Sequence, residues 1–314
     1  MSVEAERAVK VPSRKPKSEI SPREKWARRS LLAPALIYCI VLTQIPFLVT
    51  VWYSMQSWNL LRPGSQEFVF LANYVEVIVQ PAFRTALLNT VVLTVGAVVG
   101  SVLFGLALAL LLDRKFLGKG LARTLLVAPF LVMPTAAALI WKTTMFHPVY
   151  GTVNFFLSPF GVGNLDWASR FPMASIIIVT VWQWTPFMML ILLAGLQGQD
   201  RSMLEAARVD GAGSFMIFRR LTFPHLRPYI ELGVLLGSIF IVQTFDAIFM
   251  ITQGGPGRAT TNVPYYLYLE AFRRFEIGQA AALGVVVVIA TIVIATLALR
   301  VVSNLFRAEG MMAK

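Results

Sequence analysis

Long apolar runs alternate with short polar stretches along this chain. Six of them, roughly 31–55, 87–112, 124–146, 173–196, 229–252 and 279–302, reach the ~20 residues that a helix rising about 1.5 Å per residue needs to cross a hydrocarbon core. Inside a bilayer every backbone N–H and C=O must find its partner within the segment, so runs of this length predict helices and exclude open strands. The expected fold is an all-α membrane protein with six transmembrane helices. The first run is longer than a signal-peptide core, and its leader is too long and polar for one, so it is kept as a span.

Composition agrees: 57% of the 314 residues are hydrophobic and 14% are charged, against about 25% charged in soluble domains. Cys39 is the single cysteine, which removes disulfide frameworks and cysteine metal sites. His147 and His225 fall on opposite membrane sides of this layout and cannot share a metal. Lys and Arg number nine before Leu31, four in 113–123, five in 197–228 and three from Arg300 onward, against two, one and three in the alternate loops. By the positive-inside rule both termini and the 197–228 loop are expected in the cytoplasm. The net charge of +12 is then a topology signal, and no basic–aromatic cluster points to nucleic acid. Lys142, near the end of the third run, can snorkel to an interface. Residues 1–29, rich in Lys, Arg, Pro and Ser, are expected to form a disordered basic cytoplasmic tail. The membrane domain is then 30–304, with a short cytoplasmic tail at 305–314.

The 197–228 loop carries the most distinctive pattern, "RSMLEAARVDGAGSFMIFRRLTFPHLRP" from Arg201 to Pro228. Ser202 and Glu205 have capping-box spacing, which predicts a short helix from about Met203. Gly211 or Gly213 is placed to end it with a left-handed cap. Ala206, Ala207, Gly211 and Ala212 make its surface thin beside the knobs Met203 and Leu204, a shape that fits another protein's groove. Pro224 and Pro228 are expected to bend the following turn back towards the membrane.

Glu205-Ala206-Ala207, Asp210-Gly211-Ala212 and then Phe218, Leu221 and Pro224 resemble the cytoplasmic EAA loop of permease subunits of binding-protein-dependent ABC importers. Leu221 and Phe223 stand where Ile and Leu are commoner. The resemblance extends to "APALIYCIVLTQIPFLVTVWYSM" from Ala33, "NTVVLTV" from Asn89 and "FDAIFMITQGGPG" from Phe245, the last typical of the carbohydrate-uptake branch. It implies the type I importer permease fold, with 200–228 as a coupling loop in which Glu205, Ala206, Ala207, Asp210, Gly211 and Pro224 meet an ATPase. It also implies a bacterial cytoplasmic (inner) membrane location, a second homologous permease subunit as heterodimer partner, two ATPase subunits, an extracytoplasmic solute-binding protein and a carbohydrate substrate. Among carbohydrates the segments look most like permeases for sugars and for polyols such as sorbitol or mannitol.

No phosphate-binding loop occurs, since "GKG" at Gly118–Gly120 lacks the upstream glycine and the trailing hydroxyl. The chain is therefore not expected to be an enzyme or to hold a cofactor, and ATP and Mg would bind the partner ATPase. The alternative is an ion-gradient-driven secondary transporter of a small polar solute. Such carriers often show inverted repeats, broken helices and several charges along a path at membrane depth; Asp246 and the peripheral Lys142 do not supply those charges, and the 197–228 loop decides for the importer. An intramembrane enzyme would need a catalytic constellation that is missing.

Polar groups at membrane depth mark candidates for the substrate path. Asp246 stands with Gln243 and Thr244 in the fifth run, where it either faces a pathway or hydrogen-bonds a neighbouring helix. Trp182, Gln183 and Trp184 precede Pro186 in the fourth, and aromatic faces beside amides suit the C–H faces and hydroxyls of sugars. Gln44, Thr135 and Asn89 are further candidates. "QGGPGRATTNVPYY", 253–266, is either a shaped loop meeting a delivered ligand or a plain turn.

Overall fold

The computed structural model describes residues 22–62, 64, 66–161 and 163–312. The chain divides into two compact units, 1–49 and 50–314. Helix α1 (Pro22–Ser54) begins in the first unit and ends in the second. A two-residue hairpin, β1 (Gln56–Ser57) with β2 (Glu67–Phe68), precedes α2 (Ala72–Val79), α3 (Pro81–Asp113), α4 (Lys119–Leu131) and α5 (Pro134–Ile140), which runs on into a π turn at Trp141–Met145. Two short helices, α6 (Thr152–Leu157) and α7 (Trp167–Arg170), lead to α8 (Pro172–Gln197). Then follow α9 (Arg201–Val209), α10 (Ser214–Ile217), a π turn at Phe218–Thr222, α11 (Phe223–Ile241), a π turn at Ile248–Thr252, α12 (Val263–Phe272) and α13 (Ile277–Met312). The start of α1 makes 22–29 helical, with Pro22 at a position where its missing N–H costs nothing. The rest of the expected tail lies outside the described residues. Helix α13 likewise continues through most of 305–314.

Among the described residues four helices are long and apolar enough to cross a membrane, at Ala33–Ser54, Pro81–Asp113, Pro172–Gln197 and Ile277–Leu297. The third and fifth expected spans differ from straight rods. At the third, Lys119–Leu131 and Pro134–Met145 meet at 101°. Pro134 disfavours helical ψ in the residue before it, and Val132 and Met133 take extended ψ near 132°. At the fifth, α11 ends at Ile241 and helix resumes only at Asp246. No proline causes that break. Thr244 Oγ1 donates to Ile241 O at 2.7 Å and Gln243 Nε2 to Ile239 O at 2.9 Å, side-chain bonds that compete with the helical ladder. Glu231, within the same run, is paired with Arg227 at 2.8 Å.

Helices α3, α8 and α11 form the centre of the second unit, with Ala97, Val98, Ala109 and Leu112 against Met189, Leu192 and Leu193, and these against Leu226, Ile230 and Val234. Lipid tails are as apolar as leucine, so close packing rather than escape from water holds such helices together, and small residues allow it. A Cβ on Gly105 would lie 2.7 Å from Met188 Cβ and 2.9 Å from the Met189 backbone nitrogen. A second cluster joins α5 to the 246–252 turn and α12 through Ala138, Phe146, Ile176, Ile248, Ile251 and Tyr265. A third joins α2, the start of α3, α12 and α13 through Val77, Phe83, Tyr266 and Leu283.

Gly105→Ala should destabilise the protein by about 1–3 kcal/mol, because overpacking against backbone outweighs the gain in helix propensity. Gly120→Ala, in α4 with nothing within 4 Å of the new Cβ, should be neutral or stabilising by up to ~1 kcal/mol. Thermal unfolding of the purified detergent-solubilised variants checks the opposite signs.

Candidate functional site

The two broken helices face one cavity of about 310 Å³. It is lined by Phe130, Val132 and Pro134 at the α4–α5 break, by Thr180, Gln183 and Trp184 on α8, and by Phe240, Gln243, Thr244, Phe245, Asp246 and Ala247 at the end of α11 and beyond. Breaking a helix at membrane depth frees backbone carbonyls that must be satisfied. Gln183 Nε2 donates to Val132 O at 3.0 Å and Asn262 Nδ2 to Thr244 O at 2.5 Å. Side chains from outside each broken helix therefore stabilise both breaks.

The cavity has an aromatic wall and a polar lip. Trp184 stacks on Phe240 with centroids 5.6 Å apart and meets Phe130 edge-on, also at 5.6 Å. Asp246 is the one ionisable group among the lining residues, and its Oδ1 accepts from Thr135 Oγ1 at 2.5 Å. That bond joins the two expected roles, since Asp246 ties α5 to the chain beyond α11 and also faces the cavity. Lys142 donates from Nζ to Met250 O at 2.8 Å, binding a carbonyl of the facing π turn where snorkelling was expected.

Gln183, Trp184, Gln243 and Asp246 come together here. Trp182 is not among the lining residues and packs edge-on against Trp141, centroids 5.7 Å apart. Gln44 lies in the first unit, where its Nε2 donates to Thr43 Oγ1 at 3.2 Å. Asn89 braces a loop, its Nδ2 reaching Arg258 O and Thr261 O, each at 2.9 Å. Thr90 Oγ1 adds a bond from Val263 N at 3.0 Å. The 253–262 segment is thus a shaped loop pinned to α3. Within it Gly254 adopts φ +81°, and a Cβ there would lie 2.6 Å from Thr261 Oγ1. Sequence reasoning missed the walls Phe130, Phe240 and Phe245 and the brace Asn262. Pro134 was the available signal for the first break.

The 200–228 stretch forms a second candidate surface. Helix α9 is capped by Asp200 in place of the expected Ser202–Glu205 box, the Asp200 side chain accepting from the Ser202 amide and hydroxyl, both at 2.8 Å. A carboxylate two residues earlier already occupies the amide that starts the helix, so Glu205 is left exposed. The Ser202 hydroxyl first, and its amide next, hold the Asp200 carboxyl below the usual range. A lowered folded-state value means the cap is intact above the ordinary carboxylate range and is lost as pH falls through the lowered value. At the other end Gly211 has φ +83°, with Gly211 N bonded to Arg208 O and Ala212 N to Ala207 O, the paired bonds of a Schellman motif. Ala206, Asp210 and Gly211 are exposed, as are the apolar Met203, Val209 and Phe215. Pro224 lies in the first turn of α11, just after the π turn whose closing bond runs from Phe223 N to Phe218 O. In place of a sharp bend, the π turn accommodates the proline and leaves helix continuous from Ser214 to Ile241.

Comparison with known proteins identifies the family and the fold. The family described as binding-protein-dependent transport system inner membrane component matches residues 101–308. The chain is 34% identical over 274 residues to the sulfoquinovosyl glycerol transport system permease protein of Agrobacterium fabrum, covering 87% of this chain and 89% of that one. It is 33% identical over 265 residues to the trehalose/maltose transport system permease protein of Thermococcus litoralis, covering 83% and 88%. A crystal structure of a bacterial ABC transporter involved in alginate import shares the fold, with TM-score 0.73 and 19% identity over 90% of this chain and 96% of that one.

Asn262→Ala should cost about 1–3 kcal/mol for each buried group left unpaired, here Thr244 O and the Tyr265 N–H that Asn262 Oδ1 caps at 3.0 Å. Hydrogen exchange should quicken over 243–246 and 262–266 and stay unchanged over 176–196.

Proposed function

The chain belongs to the family of binding-protein-dependent transport system inner membrane components, and from that membership we propose how its surfaces divide the work of carbohydrate import. It is a transmembrane permease subunit of an ATP-driven importer. The cavity between the broken helices is its part of the substrate path, with Gln183, Gln243 and Asp246 offering hydrogen bonds to hydroxyls and Trp184, Phe130 and Phe240 offering faces to C–H groups. The observation that carries the importer reading is the family match over residues 101–308, and the meeting of both helix breaks at one cavity supports the path, an arrangement secondary carriers also use. The sugar-transport names of the two permeases that are a third identical to this chain support a carbohydrate as substrate, and the polyol reading rests on the sequence resemblance alone.

The exposed face of α9 and α10, through Glu205, Ala206, Ala207, Asp210 and Gly211 and backed by Pro224, docks on a separate ATPase that binds ATP and Mg. A second homologous permease and a solute-binding protein complete the importer. The distribution of Lys and Arg supports cytoplasmic termini and a cytoplasmic 200–228 loop.

Gln243→Ala and Asp246→Asn should each impair uptake of the transported sugar or polyol by the equivalent of about 1–3 kcal/mol per lost hydrogen bond, while the complex still assembles. Unchanged uptake kinetics in both would remove the cavity from the path. Gly211→Val meets no neighbour but must hold φ +83°, which a β-branched side chain resists. That variant should insert normally and lose co-purification with the ATPase or substrate-stimulated ATP hydrolysis. Normal docking, hydrolysis and uptake would sink the coupling role. In intact cells a Ser214→Cys variant should stay unmodified by an impermeant thiol reagent, and labelling from outside would reverse the orientation.

A further inference from the structure

The segment that joins the first two spans buries the polar Asn73 beside Val77 and exposes most of its other apolar side chains. On α2, Asn73 is 5% exposed, and its Nδ2 donates to Ser54 O and Gln56 O, both at 2.8 Å. Leu71, Val75 and Val79 are each 61% exposed and Ile78 51%. Positions 71, 75, 78 and 79 follow helical spacing and form one stripe. The same segment carries exposed aromatics, for the rings of Trp52 at the end of α1, Phe68 in β2 and Phe70 form a chain with centroid separations of 5.6 and 4.6 Å, and all three are exposed. A loop surrounded by water does the reverse, placing amides outside and apolar side chains inside.

We propose that this loop lies in the membrane surface, its apolar stripe seated at the boundary between lipid headgroups and acyl chains, with lipid as its partner. Its depth follows from what flanks it. Helix α1, a span, ends at Ser54, and α3, another, begins at Pro81. The chain between them therefore leaves one span and enters the next on the same side of the membrane, within a few residues of the interface where aromatic residues concentrate in membrane proteins. On α3, the next span, Leu88, Val92, Val95 and Val99 are exposed as well, as lipid-facing side chains are. Around it Arg62, Glu67, Glu76 and Arg84 are exposed, a mixed-charge rim that suits headgroups bearing both signs. The Asn73 bonds tie α2 to the end of α1 at Ser54 and to the hairpin at Gln56.

The test uses nitroxide labels at Val75→Cys and Ile78→Cys in a Cys39→Ser background, purified with the companion subunits and reconstituted into vesicles of phosphatidylethanolamine and phosphatidylglycerol. Collision rates with oxygen and with a water-soluble nickel chelate are compared with Val95→Cys on α3 and Lys115→Cys in the α3–α4 loop. Both sites should favour oxygen over nickel, with ratios between the two references. Ratios equal to that at 115 would place the loop in water and overturn the proposal. Suppression of both collision rates would show a protein covering the stripe and overturn it equally.

Discussion

A backbone carbonyl released from its helix at membrane depth has no water to turn to, and the site depends on how two such groups are satisfied. Val132 O receives Gln183 and Thr244 O receives Asn262. Each donor lies on a different helical segment from the carbonyl it satisfies, so each bond also joins segments. The alternative, an unsatisfied carbonyl in hydrocarbon, costs several kcal/mol. The breaks are therefore stable only in the assembled bundle. Once assembled, they leave an aromatic-walled space with Gln243 and Asp246 at its lip.

The bundle itself is set by approach distance. Gly100 faces Val181 and Gly105 faces Met188 on α8, where an added Cβ would lie 2.7 Å from its neighbour in each case. Gly233 and Gly237 on α11 receive the far end of the same Met188. One flexible thioether thus fills the space between three helices, a use suited to an unbranched, polarisable side chain. Because Gln183 stands on α8 and Gln243 just beyond α11, the spacing set by these contacts also fixes the width of the cavity.

Helical spans at α1, α3, α8 and α13 were legible because a long apolar run has one stable answer in a bilayer. The breaks in the other two runs were not, because both runs are apolar enough overall to read as spans and the cause is local: Pro134 acting on Met133, and Thr244 and Gln243 bonding back to Ile241 and Ile239. Among candidate site residues, "WQW" showed polarity and aromaticity without helix rotation. Trp184 therefore faces the cavity while Trp182, two positions earlier, packs on Trp141. The Gly211 cap was readable because left-handed backbone favours glycine. The start of the same helix was misread because Asp200 and Ser202 both have cap chemistry, and the earlier carboxylate holds the amide.

The uninterrupted helix from Ser214 to Ile241 is roughly 40 Å long at about 1.5 Å per residue, and it runs from the exposed loop to the lip of the cavity. Such a rod carries azimuth as well as axial displacement. Because each α-helical residue advances the helix by about 100°, removing a single residue from the regular stretch after the π turn would swing the loop through more than a quarter circle relative to Gln243. The angular phase between the two ends is a property of residue count, independent of side-chain identity. Insertions and deletions in this rod thus act on a different variable from substitutions at either end.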